Sequence, residues 1–433
     1  MVTIGGTALP GIKTEVESAN STSVNIGAPA QIGLIGQADL ANGTANTDEV
    51  YEIRTPVAAR NLFGRDSSLT KNATNALSEG AYPVYCVAAS ETTVTAETVD
   101  AQTGNFTETP VIEDGSEISV TLDSSVTAVK TLDNIDSLTA QSDEMLYNPV
   151  TGNWKLSQAP STAGTVDYTA YDYPGAVDVM MADRSERIDF LGILNENQAA
   201  VEYAHQAVLQ EVERYNFIIV LAGTSTKIAN TADYANSFDS SRIQLIYPSR
   251  NADGMNFVGS VLGLRGELGI DNSPMFKRLN TENDLAVTLS KGEQTDLYNE
   301  DVVPIADEAR GARIVEDVTC VANDNQAESA MSQSLHRLIV DYVTGIVHQA
   351  SEPFIGELHT QSARNALRAV ITSELERLRT THAITAFTIS VEKVDAMTAR
   401  VNVGINTIDP LRNIIANISA GEIEGQSTGE TEA

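Results

Sequence analysis

The sequence predicts an α/β and α+β multidomain fold, with an inserted β-rich domain and extended β arms at both ends. Three observations carry that expectation. Strand-length apolar runs alternate with helical patterns over residues 27–89 and again over 167–330, which implies βαβ units and a mainly parallel sheet. Residues 90–166, between them, are rich in Thr, Ser, Asp and Glu and hold short alternating runs. Residues 331–410 carry two long amphipathic helical patterns followed by two strand patterns. A chain of 433 residues fits about three domains.

Taken in order, residues 1–26 read as an extended arm. Pro10-Gly11 marks a turn, after which Ile12, Thr14 and Val16 alternate with charged residues at strand period. Ile32 to Gly36 and Tyr51 to Arg54 read as strands, Ala58 to Gly64 and Ser67 to Glu79 as helices, the second stopped by Gly80, and Pro83 to Ala89 as a strand. The 90–166 stretch holds 12 acidic residues against Lys130 and Lys155, so its surface should be strongly solvated. Gln198 to Tyr215 places Ala200, Ala204, Ala207, Val208 and Val212 on one helical face, and Phe217 to Leu221 and Ile243 to Tyr247 have strand length. Leu335, Leu338, Ile339, Tyr342, Val343, Ile346 and Val347 form one helical stripe. A second, over Thr360 to Thr380, turns Ala363, Leu367, Val370, Ile371, Leu375 and Leu378 inward. Strands follow at Ala386 to Val394 and Thr398 to Ile405, and residues 411–433 read as a second arm with an acidic tail.

Composition excludes several functions. Asp and Glu number 59 against 27 Lys and Arg, a net charge of −32, which argues against nucleic-acid binding. A hydrophobic fraction of 42% excludes a wholly disordered chain. Cys86 and Cys320 make neither a disulfide scaffold nor a four-cysteine zinc site. No secretory leader and no apolar run of membrane-spanning length is visible, so the expectation is a chain made in the cytoplasm with no direct membrane insertion. Carboxylate excess with scarce lysine suits concentrated salt, where screening contracts from about 8 Å to about 3 Å, and points to a halophilic source. Residues 331–415 hold 8 basic and 8 acidic side chains, a neutral module in an acidic chain. They are expected to face protein while the rest faces solvent.

No motif points to catalysis, a metal or a cofactor. His205, His336, His348, His359 and His382 form no close ligand pair. Leu221 to Lys227 lacks the Gly before Lys that a phosphate loop needs. Gly259, Gly263, Gly266 and Gly269 are spaced for close packing or turns rather than for a dinucleotide. Acidic pairs are too numerous to single out a general acid. The ends are more telling. Ile12 to Val16 and Leu411 to Ser419 are strand-like segments outside any domain, suited to adding a strand to a neighbour's sheet edge; folding back on their own subunit is the alternative. Donation to a neighbour that is not a two-fold partner builds rings or helices.

Five stretches, in order, resemble the contractile tail sheath family of tailed viruses and related injection machines. They are Leu9 to Glu15; Ala30 to Gly36; Asn61 to Gly64 with Glu79 to Val87; Gly311 to Thr319; and Arg400 to Ile405 with Asp409 to Ser419. Cys320 stands where that pattern has a second Thr, and the last stretch lacks its usual aromatic. The resemblance implies a tail-sheath-like fold with 90–166 as an outer domain. It also implies stacked hexameric rings around an inner tail tube protein, arms woven into neighbouring inner domains, and contact with baseplate and terminator proteins. The subunit would sit in a virion tail, or in the host cytoplasm before assembly or firing, and contract from a metastable extended state.

The resemblance assigns arm strands to Ile12, Thr14, Val16, Leu411, Ile414, Ile415 and Ile418. It suggests tube contact by Arg364, Arg368, Arg377 and Arg379, unless these pair with Glu374 and Glu376 on their own helix, and hinges at Gly27, Gly404 and Pro410. The alternatives are another self-assembling shell or surface-layer protein, or an α/β enzyme built on 167–330.

Overall fold

The computed structural model describes residues 30–123, 125–183, 187–214, 216–224, 234–268, 272–321, 329–380 and 384–407. The arm residues Ile12, Thr14, Val16, Leu411, Ile414, Ile415 and Ile418, and the hinge candidates Gly27 and Pro410, lie outside them.

A parallel sheet is covered on both faces, so its strands read as unbroken apolar runs. β1 (Ile32–Gly36) is such a run, buried throughout. From it the chain forms the antiparallel edge strand β2 (Tyr51–Ile53), then α1 (Pro56–Phe63) and α2 (Ser68–Glu79), and returns beside β1 as β3 (Val84–Ala88). Thr55 caps α1 by accepting from the Ala58 amide, with Pro56 at the first helical position, so this helix starts two residues before the expected Ala58. Gly80 ends α2 in the left-handed region (φ 119°), as expected of a C-terminal glycine.

The insertion leaves from the carboxyl end of β3. Its strands are β4 (Ser90–Val99), β5 (Thr103–Asn105), β6 (Ser119–Thr121), β7 (Thr127–Lys130), β8 (Glu144–Tyr147), β9 (Asn153–Leu156) and β10 (Gly164–Asp172). They form two small sheets, β4-β10-β6 and β5-β9-β8-β7, over a core containing Phe106, Tyr147, Trp154 and Tyr168. β10 pairs with β4 as far as Asp172 opposite Ser90, so the insertion ends at 172 and not at 166; one continuous ladder cannot straddle a domain boundary.

The core resumes with α3 (Tyr173–Ala182), β11 (Phe190–Ile193), α4 (Gln198–Val212), β12 (Ile219–Gly223), β13 (Ile243–Tyr247), α5 (Val258–Leu268), α6 (Lys291–Asn299), β14 (Val303–Ala306) and β15 (Arg313–Ile314). The sheet order among the described residues is β15-β14-β13-β12-β11-β1-β3-β2. The strands from β14 to β3 run parallel, and the two outermost pair antiparallel. Strand order therefore reverses at β1. Helices α3, α4 and α6 cover one face, and α1, α2 and α5 the other.

The C-terminal module consists of α7 (Ser334–Ser351), α8 (Gln361–Thr380) and the hairpin β16 (Ala386–Lys393) and β17 (Ala399–Asn406). It was expected to be separate from 331 onward. Instead Leu335, Leu338 and Ile339 of α7 join the cluster that holds Phe190 and Ile219 of the sheet, so hydrophobic packing runs through the boundary. Val370, expected inward on α8, is 42% exposed, because the module presents only the Leu367, Ile371, Leu375 and Leu378 line to its core.

Of the four spaced glycines, Gly259, Gly263 and Gly266 lie on α5. A Cβ on Gly263 would stand 2.6 Å from the Ala76 Cα of α2, and one on Gly259 2.5 Å from the Asn72 carbonyl oxygen. They let two helix backbones meet. Gly263→Val is accordingly expected to lower the urea unfolding midpoint, by about 1–3 kcal/mol of stability, through overpacking against rigid backbone.

Candidate functional site

In a chain with this carboxylate excess, the placement of each base is informative. Three buried carboxylates, each held by arginine, join the core to its two attachments.

The first joins the core to α7. Asp341 accepts two hydrogen bonds from Arg242, at 2.7 and 2.9 Å, and a third contact from Arg337 one helical turn back. All three side chains are almost fully buried. Arg242 sits at the entrance of β13, with its guanidinium 5.4 Å from the Phe217 ring centroid. Burial opposes the charge on Asp341, but Arg337 and Arg242 outweigh it and hold this carboxyl below its ordinary pKa.

The second lies at the α7 N-terminus. Gln333, at the cap position, gives no side-chain cap. Asp317 supplies the anion from elsewhere, accepting from the Ser334 hydroxyl at 2.6 Å, from Gln244 of β13 at 3.0 Å and from the Leu335 amide at 3.4 Å. Arg265 of α5 pairs with the same carboxylate at 3.3 Å; burial pushes its guanidinium below the ordinary value, with Asp317 opposing. Thr319 donates to the Met331 carbonyl at 2.9 Å. The stretch Gly311 to Thr319, singled out by resemblance alone, thus fastens α7 to the sheet.

The third joins core to insertion. Glu196, just past β11, accepts from Arg250 at 2.9 Å and from the Ser249 hydroxyl at 2.5 Å. Arg250 also reaches Glu113 of the insertion at 3.1 Å, and Lys130 meets Glu113 at 2.9 Å. Asn197 caps α4 through the Ala200 amide and donates to the Val150 carbonyl of the insertion at 2.7 Å. Burial would raise the Glu113 pKa, but Arg250 and Lys130 hold it below the ordinary range.

The surface carried by α7 is α8 and the hairpin. Arg368, Arg377 and Arg379 are exposed and Arg364 is partly so. Arg377 pairs with Glu374 at 3.0 Å and Arg379 with Glu376 at 2.7 Å, the same-helix pairs held open from sequence. Each partner stays roughly half exposed, so each pair is worth about 0–1 kcal/mol and exchanges readily. Arg377 also bonds the Tyr342 hydroxyl of α7. At about 100° per residue, Arg377 and Arg379 point roughly 160° apart, so the four arginines do not make one stripe.

The hairpin is in register from Ala386 opposite Asn406 to Lys393 opposite Ala399. Phe387, Ile389, Val391, Val401, Val403 and Ile405 face the module core. Among the described residues no third strand flanks it, so both outer backbone edges are unpaired. Gly404, expected at a hinge, is a ladder residue opposite Thr388; a Cβ there would come within 2.7 Å of the Thr388 hydroxyl, so this glycine serves a close cross-strand approach.

Residues 163–320 match the family model of the phage tail sheath protein central domain. The fold of the whole chain is similar to that of solved sheath proteins. The contracted helical sheath of the anti-feeding prophage matches at TM-score 0.57 and 14% identity, over 96% of this chain and 100% of that one. The contracted sheath complex of the extracellular contractile injection system PVC matches at 0.58 and 12%, over 97% and 99%. The sheath tail protein of Desulfitobacterium hafniense matches at 0.55 and 12%, over 92% and 100%. No curated protein sequence matches the chain. The mixed α/β multidomain architecture is therefore one shared with tail sheath structures.

Removing the charge at Asp341 leaves two buried guanidinium groups facing each other. Asp341→Asn is expected to cost about 3–5 kcal/mol in denaturant titrations, against under about 1 kcal/mol for Arg379→Ala. The pH dependence has a fixed sign. Asp341 and Glu113 have folded pKa values below their unfolded ones, so their contribution is present above about pH 4 and is lost as pH falls through the depressed values. Wild-type melting temperature should drop in that acid window, and the drop should be smaller in Asp341→Asn.

Proposed function

We propose that the chain is the structural subunit of a contractile tail sheath. It assembles as stacked hexameric rings around an inner tube, contracts from a metastable extended state, and so drives the tube through a target envelope. The observation that carries this reading is the open hairpin: a two-stranded sheet with both edges unpaired among the described residues, on a module bolted by buried ion pairs to a core of tail-sheath fold. An edge of this kind takes a strand from another chain through main-chain hydrogen bonds. The strand-like segments 12–16 and 411–419 are the donors from adjacent copies, with Gly27 and Pro410 absorbing the change of angle on contraction. Polar contact with the tube falls to Arg364, Arg368, Arg377 and Arg379 on α8. The weak same-helix pairs of Arg377 and Arg379 exchange readily. Baseplate and terminator proteins close the two ends.

The three anchored carboxylates suit the work. Contraction moves subunits as rigid bodies, and a free-energy gap of a few kcal/mol per subunit, summed over a lattice, supplies work without nucleotide hydrolysis. An α/β enzyme would bind its ligand at the carboxyl ends of the strands, where the order reverses. Here that edge is filled by the insertion through Glu196, Arg250 and Glu113, which favours the structural reading.

Deleting residues 411–433 tests the proposal. The truncated chain is expected to keep its melting temperature and circular dichroism but to form no tubular particles in negative-stain images at either high or low salt. Normal tubes from the truncation would overturn it.

A further inference from the structure

Residues 54–71 are a basic island. They carry Arg54, Arg60, Arg65 and Lys71 against Asp66, and no other Lys or Arg occurs between residues 30 and 129. Arg60, Arg65 and Lys71, with the carboxylates Asp66 and Asp253, line a cleft of about 400 Å3 between the α1–α2 turn and the loop after β13, which keeps a net positive charge of one. The wall is built firmly, since the buried Thr70 hydroxyl donates to the Gly64 carbonyl at 2.6 Å and ties the two helices. Elsewhere in the chain, Arg242, Arg250, Arg265, Arg278 and Arg313 each hold a carboxylate. Among the described residues no carboxylate lies within ion-pair distance of Arg60, Arg65 or Lys71. Thr74 adds a buried hydroxyl oxygen, also without a hydrogen-bond partner among those residues, to the same cleft.

The complementary surface is on the insertion. Asp133, Asp136 and Asp143 are exposed. Lys155 is held by the backbone carbonyls of Ile135, Asp136 and Leu138 at 2.7–3.4 Å. Among the described residues, three cations and three carboxylates thus have no ion-pair partner. We infer that the Arg60–Arg65–Lys71 cleft is a docking surface for the acidic 131–143 loop of a second copy. This inference rests on the sheath reading and adds to it a lateral contact between outer regions, separate from the hairpin edges. Close pairs in a cleft outlast the salt that screens the long-range repulsion between subunits of charge −32.

A double-mutant cycle on the full chain tests it, with the critical concentration for polymer formation read by light scattering and checked by negative-stain images. Arg65→Gln/Lys71→Gln is expected to raise that concentration about tenfold with an unchanged melting temperature. The control Gln206→Glu/Gln210→Glu, on the exposed side of α4, makes the same change in net charge and should leave it within about twofold. Asp133→Asn/Asp136→Asn/Asp143→Asn should match the cleft variant, and the combination should be no worse than either alone. Polymerisation unaffected by the cleft variant, equally weakened by the control, or weakened additively in the combination would overturn the docking inference while leaving the sheath reading intact. Wild-type protein that forms no polymer at any salt concentration would overturn both.

Discussion

Buried carboxylates between arginines are the constraint on which the rest of this structure depends. A charge taken out of water costs several kcal/mol unless a partner of opposite sign meets it in good geometry. Asp341, Asp317 and Glu196 meet that condition only when the sheet, α7 and the loop after β13 are all in place. Each pair therefore fixes the angle at which an attachment leaves the core. Hydrophobic burial alone is non-directional and would tolerate sliding of α7 over the sheet face. The bidentate Arg242–Asp341 contact does not tolerate it, because its fork geometry is lost within a small displacement.

The same chemistry sorts the rest of the surface. Where a base is buried it is paired and structural. On α8 the exposed Arg377 and Arg379 keep only half-exposed glutamate partners, and beside α2 Arg60, Arg65 and Lys71 have no ion pair among the described residues. In a protein with more than two acids per base, the buried pairs mark the parts that keep one shape.

Local periodicity made most of the fold legible. The parallel-sheet strands stood out because burial on both faces leaves unbroken apolar runs such as Ile32 to Gly36 and Ile243 to Tyr247. α7 and α8 stood out because half-buried helices keep an apolar stripe. α6 was missed, although its Ser290–Glu293 capping box is written in the sequence, because a mean hydropathy this polar gives no stripe to follow. The anchors were not legible. Arg242 and Asp341 are 99 residues apart, and no pattern at the period of a helix or strand links them. With 59 acidic residues, nothing marked Asp341 or Asp317 out except, in retrospect, the Arg337–Asp341 spacing of one turn inside an apolar helix. The charge-neutral stretch from 331 was legible as composition, but its meaning differed between its halves. α7 is neutral because it is buried against the sheet, whereas α8 and the hairpin carry their charges in the open, with a small excess of arginine on α8.

That difference bears on how such a subunit can move without unfolding. A hairpin with free edges is marginally stable alone. Here its inner face is held by the module core, while both edges are unpaired among the described residues. Cohesion through those edges uses main-chain hydrogen bonds, which are insensitive to the salt that governs side-chain charge. The outer-surface contact inferred above would, by contrast, be electrostatic and exchangeable. Under the proposed sheath reading, a lattice built in this way would keep one set of joints closed while the other set changes partners, which is what a large rearrangement of intact subunits requires. The buried ion pairs would make that possible, since a core held rigidly to α7 and to the insertion could convert a change of outer contacts into a rotation felt at the hairpin.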